Sequence, residues 1–103
     1  MSKDQNIAVI IRTNSQGLEK ELERLVLSEG GFRLGELKGV KRPDLLIYEL
    51  GANIDKEFGQ IQSLLETSAV REVFVVSTIK ESDLILKAMR AGVKEYIHLP
   101  LDE

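Results

Sequence analysis

The sequence predicts an α/β domain built on a parallel sheet with helices on its faces. Two observations carry this. Three apolar runs, Ile7-Ala8-Val9-Ile10-Ile11, Leu45-Leu46-Ile47-Tyr48 and Val73-Phe74-Val75-Val76, show no polar alternation, as expected of strands buried on both faces. The segments between and after them carry apolar residues at helical spacing, and strands alternating with helices imply a parallel sheet. At 103 residues the chain is read as one domain, and a hydrophobic fraction of 43% with 30% charged residues fits a folded globular chain rather than a disordered one.

In order, the first strand is Ile7 to Ile11, followed by polar Arg12-Thr13-Asn14-Ser15, where Ser15 or Asn14 suits a helix N-cap. Leu18, Leu22, Leu25 and Val26 then recur at helical spacing, which predicts a helix over 15–29 that stops at Gly30-Gly31. Phe32, Leu34 and Leu37 suggest a short alternating edge strand. The link Lys38-Gly39-Val40-Lys41-Arg42 is brief for a parallel crossover, and no helix is read in it. The central strand lies in Pro43-Asp44-Leu45-Leu46-Ile47-Tyr48-Glu49-Leu50-Gly51, entered through proline and left through glycine. Asn53 or Asp55 caps a helix carrying Phe58, Ile61, Leu64 and Leu65. After Val73 to Val76 come Ser77-Thr78. A helix opening at Ser82 or Asp83 then turns Leu84, Ile85, Ala88 and Met89 inward and closes at Gly92, before a last short strand from Tyr96 to Pro100.

Several function classes are excluded or weakened. A net charge of −3 gives no general electrostatic case for nucleic acid. With no cysteine there is no disulfide scaffold or thiol metal site, which suits a reducing, cytoplasmic setting. Met1 to Asn6 has no apolar signal core, and no apolar run approaches the roughly 20 residues that membrane insertion needs. Arg12-Thr13-Asn14-Ser15-Gln16-Gly17 has one glycine, too few for a dinucleotide loop. His98 is the sole histidine and reads as a strand-end residue, and Lys38, Lys41 and Arg42 read as a solvated turn. No cofactor and no metal are called. Glu49, at the carboxyl edge of the central strand where open α/β sheets bind ligands, is the residue of interest.

Three segments together resemble the receiver domain of bacterial response regulators, the CheY-like, flavodoxin-like fold. Pro43-Asp44-Leu45-Leu46-Ile47-Tyr48-Glu49-Leu50 resembles the receiver's third strand, P-D-L-V-L-L-D-L. Val76-Ser77-Thr78 resembles V-T-A after the fourth. Ala88-Met89-Arg90-Ala91-Gly92-Val93-Lys94-Glu95-Tyr96-Ile97-His98-Leu99-Pro100-Leu101 resembles A-L-x-A-G-A-x-D-Y-L-x-K-P-F. The resemblance implies a doubly wound five-stranded sheet in the order 2-1-3-4-5, here without a helix between strands 2 and 3 or a C-terminal helix. It covers the whole chain, 1–103, read as one receiver-like domain of a longer protein. The Arg90 to Tyr96 wording is similar to the amino-terminal domain of CpaE/TadZ pilus-assembly ATPases.

The chain departs from the receiver pattern in three parts of the phosphorylation machinery. Glu49 stands at the phosphoacceptor aspartate, Arg12 and Thr13 at the Mg²⁺-holding acidic pair, and Leu99, before Pro100, at the lysine. Ser77 and Tyr96 keep the hydroxyl and aromatic switch positions. Mg²⁺ takes oxygen ligands, and a cation at Arg12 repels it. The expectation is a pseudo-receiver, a non-enzymatic module that docks a protein partner or forms a homodimer independently of phosphorylation. The natural chain would continue into an ATPase domain. A working receiver in a phosphorelay is the alternative. The sequence further predicts that Glu49 lies beside Ser77 and Arg12, and the resemblance implies a cis Leu99–Pro100 bond. It also predicts that the sheet face left uncovered by a missing last helix, with parts of 7–11, Tyr48 and the last strand, is buried in a two-fold dimer.

Overall fold

The computed structural model describes residues 7–28, 32–34 and 43–99. They form β1 (Ile7–Arg12), α1 (Gln16–Ser28), β2 (Phe32–Leu34), β3 (Leu45–Glu49), α2 (Ile54–Glu66), β4 (Glu72–Ser77), α3 (Ser82–Arg90) and β5 (Glu95–His98). All strand pairs are parallel: β1 with β2 and with β3, β3 with β4, and β4 with β5. The parallel α/β architecture is the one the alternation of apolar runs and amphipathic segments requires. The link 35–42, the Gly30-Gly31 stop, Leu37 and the Leu99–Pro100 bond with the residues after it lie outside the described residues.

Two cores follow from the period-two alternation of buried strands. On one face Ile10, Leu46, Val73 and Val75 meet Phe58 and Ile61 of α2 and Leu84 and Ala88 of α3. On the other, Val9, Leu45, Ile47 and Val76 meet Leu22, with Leu18 and Val26 of α1 packed beside it. Val9, Val73, Val75 and Val76 are fully buried. Each is β-branched, stiff at χ1 and suited to a pleated surface covered from both sides.

The helix ends are built by local chemistry. Ser15 Oγ accepts from the Leu18 N–H at 3.3 Å and caps α1. Asn53 precedes α2 but makes no side-chain cap bond, and the residue before α3 is Glu81, not Ser82 or Asp83. At the far end of α3, Gly92 has φ +102, and the Val93 N–H reaches back to the Ala88 carbonyl at 3.1 Å. Ser68 ends α2 in the same way, with φ 62 and the Ala69 N–H bonded to the Leu64 carbonyl at 2.9 Å. Both are left-handed terminations that satisfy the last carbonyls of a helix.

Two packing expectations change. Met89 is 43% exposed, not inward. Leu84, Ala88 and Ala91 already fill the stripe facing the sheet, and Met89 falls one position past it, above Leu86 on the outer face. Tyr48 does not lie on the α1 face. It sits in register with Arg12 and packs with Leu46 and Ile10 beneath α2, because even-numbered residues of β3 point that way.

The two terminations predict opposite responses. Gly92→Ala forces a side chain into positive φ, with its Cβ 2.9 Å from Leu65 Cδ1, and lowers the unfolding free energy by about 1–2 kcal/mol. Ser68→Gly relieves the same strain and raises stability, by at most about 1 kcal/mol after the entropy that glycine adds to the unfolded chain. Urea denaturation of both variants measures the two signs.

Candidate functional site

The carboxyl ends of β1, β3, β4 and β5 bring the sequence-selected residues to one edge of the sheet. Glu49 ends β3 on the α1 face, and its Oε1 accepts from the Asn14 N–H at 2.7 Å. That bond pins the loop entering α1. Thr13, just before it, donates its hydroxyl to the Ser15 carbonyl at 2.9 Å. Both contacts order the β1–α1 turn.

Arg12 is not Glu49's partner. No ion pair joins the two among the described residues, and the expected pairing is corrected. The reason is strand parity: Ile10 and Arg12 face α2, whereas Leu45, Ile47 and Glu49 face α1. Arg12 instead stands beside Tyr48, its register partner on β3. Nor does Glu49 bond Ser77. Ser77 is 3% exposed, and its Oγ accepts from the Ile79 N–H at 3.1 Å.

The β4–α3 loop is fastened to β5 at two more points. Tyr96 donates its hydroxyl to the Ile79 carbonyl at 2.7 Å. His98 Nε2 donates to the Thr78 carbonyl at 3.1 Å, which places its proton on that nitrogen. Leu99, at the receiver's lysine position, is 7% exposed and packs with Val9, Leu22 and Ile47 in the α1-side core. Its N–H donates to the Ser77 carbonyl at 2.8 Å.

Two polar residues that were not singled out in the sequence hold this edge and the opposite one. Glu57 Oε1 accepts from the Gly51 N–H at 2.6 Å and from the Tyr48 hydroxyl at 3.2 Å, and Oε2 accepts from the Asn53 N–H at 3.1 Å. One carboxylate therefore satisfies the turn between β3 and α2 and complements the start of the helix. The spacing Asn53 to Glu57 is one residue longer than a capping box, which is why the motif is hard to see. Asp44 Oδ2 accepts from the Ala8 N–H at 3.0 Å, and the Asp44 N–H bonds the Ala8 carbonyl at 2.9 Å, tying β1 to β3 at their amino ends.

The Tyr48 phenol is held above its ordinary pKa of 10.0, first by burial and then by the Glu57 charge and hydrogen bond, with Arg12 opposing. As a metal centre the receiver positions fit poorly. Arg12 is a cation, the Thr13 hydroxyl is bonded to Ser15, and Glu49 supplies a lone carboxylate, where Mg²⁺ wants a near-octahedral oxygen set. Among the described residues no cluster of three acids or histidines is placed to hold a metal, and no helix is long and apolar enough to cross a membrane.

With this geometry in place, solved structures offer clear counterparts. A protein of Burkholderia pseudomallei assigned to pilus assembly superposes with TM-score 0.79 at 24% identity, over 95% of this chain and 81% of that one. A response regulator from Thermotoga maritima gives 0.77 at 20% identity, over 94% and 87%. A CheY-like protein, TadZ, from Pseudomonas aeruginosa gives 0.74 at 19% identity, over 94% and 90%. The fold is that of a CheY-like receiver domain. No protein-family model matches the chain, and no curated protein matches it in sequence. In this receiver fold Glu49, Ser77, Tyr96 and Arg12 all stand at the strand-end edge, with Glu49 on the α1 side and Arg12 on the α2 side.

The Tyr48–Glu57 contact predicts a high-pH effect on stability. The folded pKa of Tyr48 lies above the unfolded value of 10.0, so its contribution is complete below pH 10 and is lost as pH rises through the folded value. Glu57→Gln removes the charge, brings the Tyr48 titration back towards 10.0 and costs about 1–3 kcal/mol of stability through weakened bonds to Gly51 and Asn53. Ultraviolet titration in a Tyr96→Phe background, which leaves one tyrosine, reads the shift directly.

Proposed function

We propose that the chain is a non-enzymatic receiver-like module that docks a second copy of itself or another protein without accepting phosphate. The observation that carries this is the bond from the Asn14 N–H to Glu49. It gives the strand-end carboxylate a fixed structural partner in the loop where a receiver builds its metal site. A carboxylate already held there supplies a permanent single charge, and the buried Leu99 supplies no cation to meet a phosphoryl group. Phosphoryl transfer needs such stabilisers for the charge that develops.

The docking face is best placed on α3. Leu86 and Met89 of α3 are 51% and 43% exposed, and Ile79 in the loop before the helix is 38% exposed; Leu27 of α1, at 56%, stands alone on its helix. Leu86 and Met89 stand three residues apart on one helix face. By contrast Ile7, Phe74 and Ile97 on the α1 side are half-buried and packed against the core there. The two-fold dimer therefore fits α3 better than the sheet face predicted from sequence. Resemblance to solved proteins assigned to pilus assembly supports a role in assembling or localising such machinery.

Incubation with acetyl phosphate and Mg²⁺ is expected to leave the intact mass unchanged, and a phosphate adduct on Glu49 would overturn the reading. Self-docking predicts dimers by sedimentation at high concentration, which Leu86→Glu with Met89→Glu abolishes while changing unfolding free energy by no more than about 0.5 kcal/mol. A wild-type chain that stays monomeric under the same conditions removes the self-docking form.

A further inference from the structure

A groove of about 320 Å³ runs along the α2 face of the sheet and shares no residue with the α3 stripe. Its floor is Ile10 and Leu46, and its wall is Ile61, Leu64 and Val70. One end lies at Pro43, two residues before β3, and the other at Arg12 and Tyr48, at the ends of β1 and β3. Five residues of strand separate these ends, or about 16 Å.

Two features decide what kind of chain fits. The floor is the face of paired strands, β3 having partners on both sides, so it offers no free backbone donors or acceptors. A peptide laid there would bury amide groups unsatisfied, at about 1–3 kcal/mol each, whereas an alkyl chain loses nothing. The polar end carries one cation, Arg12, beside the Glu57 carboxylate that holds Tyr48. Arg12 is exposed, makes no ion pair among the described residues, and presents a planar fork suited to a carboxylate. The nearby Glu57 carboxylate is bonded by Gly51, Asn53 and Tyr48 and opposes an anion at Tyr48, so the carboxylate of a ligand has to pair directly with Arg12. From the length, the apolar wall and floor and the terminal arginine we infer that this groove is a binding site for a medium-chain alkyl carboxylate. The alkyl tail runs towards Pro43 and the carboxylate pairs with Arg12. Such clefts, mostly apolar with a few placed polar groups, are the usual form of small-ligand sites.

The test is titration of isotope-labelled protein with decanoate, and separately with decanol, followed by methyl resonances. Saturable shifts are expected on Ile10, Leu46, Ile61, Leu64 and Val70, with decanoate the tighter ligand. Arg12→Leu should weaken decanoate about tenfold and leave decanol unchanged, removing the preference for the acid. Gln60→Glu, at an exposed position on the groove wall, adds an anion without touching the core and should likewise weaken decanoate alone. Shifts centred on Leu86 and Met89 instead, or equal affinity for acid and alcohol in the unaltered chain, would overturn the proposal. Concentration-dependent shifts of the same groove methyls with no ligand present would put a second copy of the chain in the groove and overturn it as well.

Discussion

The pairing of β1 with β3 sets the chemistry of the whole molecule. Val9 stands opposite Leu45 and Arg12 opposite Tyr48, and from that register every side chain of the two strands is assigned a face. One residue of slip would exchange the α1-side core for the α2-side core, so the apolar contacts on both faces resist it together. The polar residues at the strand ends follow passively. Arg12 and Tyr48 go under α2, and Glu49 goes to the α1 side and to the Asn14 N–H.

Polar fastenings then hold what hydrophobic burial has positioned. Asp44 locks the amino ends of β1 and β3, and Glu57 locks the turn beyond β3 to the first residues of α2. Each takes backbone N–H groups that would otherwise lack partners at the end of an element. Orphaned buried donors cost about 1–3 kcal/mol, so these two carboxylates matter more than an exposed ion pair such as Lys87–Asp55, which spans α2 and α3 at 3.1 Å. A third fastening, of Ser77, Tyr96 and His98 on the loop 77–79, relies on neutral donors and carbonyls.

The parallel α/β fold was legible because its signals are long and redundant. Runs such as Val73 to Val76 need no partner to be recognised, and Leu18, Leu22 and Val26 declare their face by spacing alone. The resemblance of 43–50 and 88–101 to a receiver led to the fold found. The site was less legible. Whether Glu49 meets Arg12 depends on parity at the last residue of a strand, where a proposed contact between two charges is tempting and the pleat forbids it. Glu57 was missed because its three donors, Gly51, Asn53 and Tyr48, come from a turn whose path is not written in any pattern of residue types. Met89 was misplaced because α3 is nine residues long, and over so short a helix the inward stripe is defined by few positions.

The strands differ in how they could meet another chain. β5 has four residues, pairs with β4 and carries exposed Glu95 and His98, while β2 has three residues and pairs with β1. A sheet grows by backbone hydrogen bonds along its margin, and margins this short, with charge or a tethered imidazole on β5, make poor templates for an incoming strand. The apolar run of β3, Leu45 to Tyr48, which could template fibrillar growth, is enclosed between β1 and β4. Among the described strands, then, open-ended strand addition is disfavoured, and contacts between copies are channelled to side-chain surfaces, which close into a finite assembly when the two copies meet through the same patch.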